Sequence, residues 1–115
     1  SNSGIEKITT LAVKNGAKTV IIPFTEISII QSSGSYVKII TESGNHLLKK
    51  KLSELQEVLP EYFRRVHRSI IVNVSFIKEL RSLLNGDSTL LLKNGKKIRA
   101  SRTFRKNLNG FSGRL

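Results

Sequence analysis

Cysteine, methionine and tryptophan are absent from the 115 residues. Without cysteine, neither a disulfide nor a thiolate metal ligand can contribute to stability or chemistry, which suits a reducing cytoplasm. Aromatic residues are few, five Phe and two Tyr, so a broad surface for stacking unpaired bases has little to be built from. No apolar run approaches the ~18 residues that a membrane span needs, and the start lacks the charged-then-apolar pattern of a signal peptide. Acids are scarce and scattered, eight in all. Only Glu54, Glu57 and Glu61 recur on a helical spacing, which reads as a solvent-facing stripe, whereas metal-dependent phosphoryl chemistry needs clustered carboxylates. No glycine-rich phosphate loop or serine elbow is present. The expectation is a protein that is not an enzyme and holds no cofactor.

What is abundant is positive charge: 20 Lys and Arg against 8 Asp and Glu, a formal net charge of +12 and a pI of about 10.5. So large a charge on a small domain repels itself unless a polyanion neutralises it. Nucleic acid is the first candidate and an anionic membrane surface the second. The charge is also uneven. No acid follows Asp87, while Lys93, Lys96, Lys97, Arg99, Arg102, Arg105, Lys106 and Arg114 do. A solvated surface is the plainer reading of any isolated charge run, but a one-signed tail of this length favours a functional face toward the C-terminus.

The length fits one domain. Ser1-Asn2-Ser3, with no methionine in the chain, reads as the remnant of a tag or linker over residues 1–4 ahead of a piece excised from a longer protein. Short apolar runs separated by glycine-containing turns dominate, and no long stretch keeps a 3.6-residue period, so the chain reads as mainly all-β. Asn15-Gly16 divides Ile8–Lys14 from Thr19–Ile22, and Ser43-Gly44-Asn45 divides Tyr36–Thr41 from His46–Lys49. Asn85-Gly86-Asp87 divides Ile77–Leu84 from Thr89–Lys93, and Asn94-Gly95 precedes Lys97–Ala100. Four hairpins are expected at these turns.

Ser53-Glu54-Leu55-Gln56 fits a capping box, predicting a short helix over Glu54–Leu59 that Pro60 ends. Ser101 is placed to cap a last helical turn or two to Leu108, stopped by Asn109-Gly110, with residues 111–115 frayed beyond it. Val20-Ile21-Ile22, Ile70-Ile71-Val72 and Leu90-Leu91-Leu92 are apolar on both faces, so they want cover on both sides or belong to small stacked sheets.

The most informative stretch runs from Tyr62 to Asn73. Arg64, Arg65, His67 and Arg68 lead straight into the apolar Ile70-Ile71-Val72, so a basic connection is anchored to the core. Arginine can grip guanine edges or bridge phosphates, and Ser and Asn add neutral hydrogen bonds. His67 is a candidate switch or ligand, but a lone histidine beside a strand is more often structural. His46 has no metal-like spacing to it, so no metal site is expected. Lys49-Lys50-Lys51 reads first as a solvated face that touches phosphate at a distance. Tyr62 and Phe63 are expected to pack against the sheets.

Phe63–Asn73, then Ile77, Gly86–Gly95 and Ala100-Ser101-Arg102, resemble in order the central and C-terminal signature of the LytTR domain, the DNA-binding module of bacterial transcriptional response regulators. Ile29–Val37 resembles that family's earlier segment, where an acid is more usual than Gln31. The resemblance spans residues 5–108, and the domain is placed at 5–110. It implies small stacked antiparallel sheets of about ten short strands with one or two short helices. It also implies contacts from loops in the major groove: the segment before Tyr36, the His-Arg-Ser turn, and the segment after the last strand. Carried onto this chain, base contacts fall to Tyr36, Arg68 and Arg102, and phosphate contacts to Ser33, Ser35, Ser69, Ser101 and Arg105. The implied function is sequence-specific binding of double-stranded promoter DNA, in the cytoplasm, as the output domain of a two-component transcriptional regulator. Two protomers on direct repeats and an upstream receiver or sensor domain are implied partners. No basic amphipathic helix is long enough to lie in a groove, which agrees with a loop-based reader. The alternative from the residues is an RNA-binding β module, with Tyr36 as its only clearly placed stacking residue.

Overall fold

The structure, a computed structural model, describes residues 8–108. The expectations for residues 1–4, for the Asn109-Gly110 stop and for residues 111–115 lie outside that range. Among the described residues, in chain order, stand β1 (Thr10–Asn15), β2 (Lys18–Pro23), β3 (Ile27–Ser33), β4 (Tyr36–Thr41), β5 (Gly44–Leu48), α1 (Leu52–Val58), β6 (Phe63–His67), β7 (Ile70–Asn73), β8 (Ile77–Ser82), β9 (Ser88–Leu92) and β10 (Lys97–Ala100), with residues 106–108 helical again after β10. The strands form three antiparallel sheets: β1-β2, a central β5-β4-β3-β7-β6, and β10-β9-β8. The all-β, stacked-sheet expectation is met.

The central sheet lies between two apolar clusters. Ile27, Ile30, Val37, Ile39 and Ile71 point to one, with Leu11, Val13 and Ile22 of the two-stranded sheet and Leu52 and Leu55 of α1. Ile29, Ile40, Val66 and Val72 point to the other, with Leu90 and Leu92 of β9 and Ile98 of β10. Two-sided burial explains why adjacent residues such as Ile39-Ile40 and Ile71-Val72 are all apolar, since successive side chains in a strand face opposite ways. The same reasoning fails for Val20-Ile21-Ile22. The β1-β2 sheet is covered on one side only, so Ile22 is buried and Ile21 is exposed.

Buried Asn73 locks the central sheet to its surroundings. Its Nδ2 donates to the Ile27 carbonyl at 3.0 Å, while its Oδ1 accepts from Ser75 N–H at 3.0 Å and Ser75 Oγ at 2.6 Å. Phe24 and Phe63 meet edge-on at 6.0 Å, and half-buried Tyr62 packs beside Phe63, as expected for this pair.

Helix α1 begins earlier than the Ser53 pattern indicates. Its N-cap is Lys51, and Glu54 Oε1 accepts the Lys51 N–H at 2.9 Å. Burial of Leu52 and Leu55, one turn apart, sets this register. Ser53 lies inside the first turn, and Gln56 is left to accept from Arg65. Leu59 leaves helical geometry at ψ 147°, as a residue before proline must. Ser101 does act as a cap: its Oγ accepts the Thr103 N–H at 3.3 Å, opening a 3-10 turn over Arg102–Phe104.

Two more hairpins lie at the segment before Tyr36 and at the His-Arg-Ser turn, which the family resemblance implied and the Asn-Gly signals did not mark. β3 and β4 are joined by Gly34-Ser35, and β6 and β7 by Arg68-Ser69. The β4–β5 turn also sits one residue early, at Glu42-Ser43, with Gly44 already paired to Thr41.

Candidate nucleic-acid interface

These two hairpins position the site. Because β3 pairs with β7, they lie side by side with both turns at one end of the central sheet, and the Ser32 N–H donates to the Ser69 carbonyl at 2.8 Å between them. Gly34 has φ +63°, a left-handed conformation that permits so tight a turn. β5 runs antiparallel to β4 and ends with Leu48 opposite Val37, so Lys49, Lys50, Lys51 and the start of α1 emerge at that same end.

A shallow concavity of about 490 Å³ results. Ser35 and Tyr36 form one wall, Lys49, Lys50 and Lys51 another, and Arg65 and Arg68 a third. The acid in its lining is Glu54, whose carboxylate is engaged by the Lys51 N–H. Among the described residues the ion pairs are Arg81–Glu79 and Arg99–Asp87. The cations of the concavity therefore have no carboxylate partner among the described residues.

Tyr36, Arg68 and Arg102 are all exposed, as are Ser33, Ser35 and Arg105, while Ser69 and Ser101 are half-buried. Ser69 Oγ lies 2.9 Å from His67 Nδ1, and the Ser69 N–H donates to that nitrogen at 3.2 Å. His67 thus closes its own turn through hydrogen bonds, the structural role expected of it, and its ring proton belongs on Nε2.

The third group, Ser101, Arg102 and Arg105, follows β10 and docks along β6. The Ser101 N–H donates to the Val66 carbonyl at 2.8 Å, and Asn107 Nδ2 to the Arg65 carbonyl at 2.7 Å. Arg102 leans on the β8–β9 loop, its guanidinium donating to the Asn85 carbonyl at 3.3 Å. Asp87 anchors the segment. Its Oδ1 accepts the Arg102 N–H at 3.0 Å, and its Oδ2 accepts Arg99 Nε and Nη2 at 3.2 and 3.1 Å. The Arg102 N–H, with the Arg99 guanidinium after it, holds this carboxyl below the ordinary aspartate range against a partial loss of solvent. Gly86 beside it has φ +94°, a conformation that L side chains rarely adopt, and a Cβ there would lie 3.3 Å from the Arg102 side chain.

Arg65 and the lysine triplet carry more than the sequence indicated. Arg65 is a connector rather than a free cation. Its terminal nitrogens donate to Gln56 Oε1 at 3.3 Å and to the Arg68 carbonyl, and its guanidinium carbon lies 5.9 Å from the Phe104 ring centre. One side chain joins α1, the Arg68 turn and the C-terminal segment. The lysine triplet, read first as a solvated face, is exposed but shares its concavity with Tyr36 and Arg68. Lysine clustering was visible in the sequence; the neighbours it acquires depend on strand order.

Tyr36 is the one aromatic among the exposed large apolar side chains of the described residues, so they present no sheet-face platform for stacking bases. No three His, Asp or Glu side chains among the described residues converge as a metal cage requires, and no described helix is long and apolar enough to cross a membrane.

Cations without a carboxylate partner among the described residues, a tyrosine and hydroxyls gathered on the turns at one sheet end make a surface suited to nucleic acid. The chain belongs to the LytTr DNA-binding domain family, whose model matches residues 17–112. It is 33% identical over 99 residues to the sensory transduction protein LytT of Bacillus subtilis, covering 85% of this chain and 41% of that protein. It is 39% identical over 56 residues to the transcriptional regulatory protein LytR of Staphylococcus aureus, covering 49% of this chain and 23% of that protein. The chain thus spans less than half the length of these relatives. Its fold matches a LytTr DNA-binding domain of a methyl-accepting/DNA response regulator from Bacillus cereus, with a TM-score of 0.82 and 23% identity over 92% of this chain and 98% of that one. Binding DNA is the function of the domain.

Proposed function

We propose that this domain reads double-stranded promoter DNA sequence-specifically, in the cytoplasm, as the output module of a longer two-component transcriptional regulator. Tyr36, Arg68 and Arg102 contact bases in the major groove, and Ser33, Ser35, Ser69, Ser101 and Arg105 hold phosphates. Two protomers occupy direct repeats, and a receiver or sensor domain upstream supplies the signal. The observation that carries this reading is the meeting of Tyr36 and Arg68 in one concavity with three lysines that have no carboxylate partner among the described residues. Tyr36 and Arg68 supply discrimination, and the lysines beside them supply affinity through release of counterions. The names of the relatives, a sensory transduction protein and a transcriptional regulatory protein, agree with the regulatory setting.

Selection of bound duplexes from a random pool, followed by salt titration on the selected sequence, tests the proposal. A recovered consensus, with affinity falling as salt rises, is expected. Equal recovery of all sequences would remove the base-reading assignment, and preference for single-stranded RNA would replace the partner.

A further inference from the structure

Leu84 is the most exposed large apolar side chain of the described residues, at 109% of its reference accessibility. Exposed leucines are ordinary on protein surfaces. Ile21, Leu47 and Val58, for example, keep close to half of their surface covered. Leu84 touches nothing, yet its loop is braced. The Leu83 N–H donates to the Asp87 carbonyl at 2.8 Å and the Gly86 N–H to the Leu83 carbonyl at 3.1 Å, while the Asp87 N–H donates to Asn85 Oδ1 at 3.0 Å. The Arg102 guanidinium holds the carbonyl of Asn85, the very next residue. An apolar tip is therefore held without slack beside a cation assigned to DNA, on a surface whose net charge repels a cationic partner and attracts a polyanion.

We propose that Leu84 is a DNA contact: it packs against the apolar sugar and base surface of the groove next to the one Arg102 enters. This rests on the assignment of Arg102 to the DNA face. Apolar side chains pressed against groove walls or between base steps contribute in DNA-binding proteins by burying carbon rather than by neutralising phosphate. The two contributions respond differently to salt, which makes them separable. Burying the leucine side chain removes apolar area but releases no counterion.

The test measures the affinity of the domain for its selected duplex over a range of salt concentrations, for wild type, Leu84→Ala, Leu84→Met and Arg102→Ala. Leu84→Ala is expected to lose roughly tenfold in affinity by the same factor at every salt concentration, with an unchanged slope and an unchanged melting temperature. Leu84→Met is expected to recover most of the loss. Arg102→Ala is expected to lose affinity for the selected duplex together with its preference over a scrambled one. Wild-type affinity in Leu84→Ala overturns the proposal while leaving DNA binding intact, and so does a loss that comes with a changed slope, since that would be an effect relayed through a phosphate contact. A loss of affinity in Leu84→Ala with Arg102→Ala silent overturns the placement beside Arg102. Failure of the wild-type domain to prefer any duplex removes the underlying reading together with the proposal.

Discussion

Replacing Arg65 with alanine separates a connector from a decorative cation. The substitution removes two hydrogen bonds, to Gln56 Oε1 and to the Arg68 carbonyl, and a cation–π contact with Phe104. Each lies at a partly exposed site, where solvent competes, so each contributes about 0.5–1 kcal/mol. Arg65 Nε is shut away from solvent with no acceptor, a cost that offsets part of the gain. The sum is about 1.5 kcal/mol, which lowers the melting temperature by roughly 5–10 °C in a domain of this size. The functional consequence is separate from this. With its carbonyl released, Arg68 no longer leaves the sheet end at a fixed angle, and a bidentate base contact depends on that angle. Binding of the selected duplex is expected to fall by roughly tenfold more than binding of a scrambled one, measured well below the melting temperature. Arg65→Lys keeps the charge but not the fork, so it restores the affinity for scrambled DNA without restoring discrimination. A variant as stable and as selective as wild type would refute the connector role. Loss of stability with selectivity intact would restrict it to folding.

Asn73→Ala removes one buried and two part-buried hydrogen bonds and is expected to destabilise the fold by about 3 kcal/mol, seen as a fall in the denaturation midpoint at constant slope. Arg68→Ala and Arg102→Ala should flatten sequence preference, whereas Lys50→Ala should weaken all duplexes alike and reduce the salt slope by about 0.9; full discrimination in both arginine variants would show the readers to lie elsewhere. Because the folded Asp87 carboxyl is held below its ordinary range, its stabilising contribution is complete above pH ~4 and is lost as pH falls through the folded value. Asp87→Asn should therefore melt with a flatter acid limb than wild type, and parallel limbs would contradict the Arg102 and Arg99 contacts. Contacts from several separated loops favour a bent duplex, and phasing analysis of the complex on a gel should show one; straight DNA would remove bending from the mechanism.

Local chemistry was legible in the sequence, and adjacency was not. Asn15-Gly16 and Asn94-Gly95 announced their hairpins because such pairs adopt the positive φ that tight turns need. Gly34-Ser35 and Arg68-Ser69 also close two-residue turns, but Arg68-Ser69 contains neither Gly nor Asn, so its residue types did not mark it and the family resemblance did. The helix start was misplaced because Ser53 offered a familiar cap, while burial of Leu52 outweighed it. Ile21 was misread for a related reason: a run of apolar residues states that burial is possible, and the number of sheets that stack on it decides whether it happens. The candidate residues of the site were all named from the chain. That Lys49, Lys50 and Lys51 share a concavity with Tyr36 and Arg68 follows from the order β5-β4-β3-β7-β6, which no local pattern encodes.

That strand order also divides the cations by task. A sheet buried on both faces cannot flex without opening one of its cores, so the turns at its end are presented rigidly. Arg65 and Arg99 spend their hydrogen bonds inside the protein, on Gln56, the Arg68 carbonyl and Asp87, and hold the loops that carry Arg68 and Arg102. Lys49, Lys50 and Lys51 have no carboxylate partner among the described residues and stand on flexible stems, which suits phosphates whose positions vary little with sequence. Changes among such lysines alter how tightly the domain binds and how strongly salt opposes it. With Arg68 and Arg102 as the proposed readers, changes to Gln56, Phe104 or Asp87 are expected to alter which sequence is bound, because they move the frame from which those arginines project.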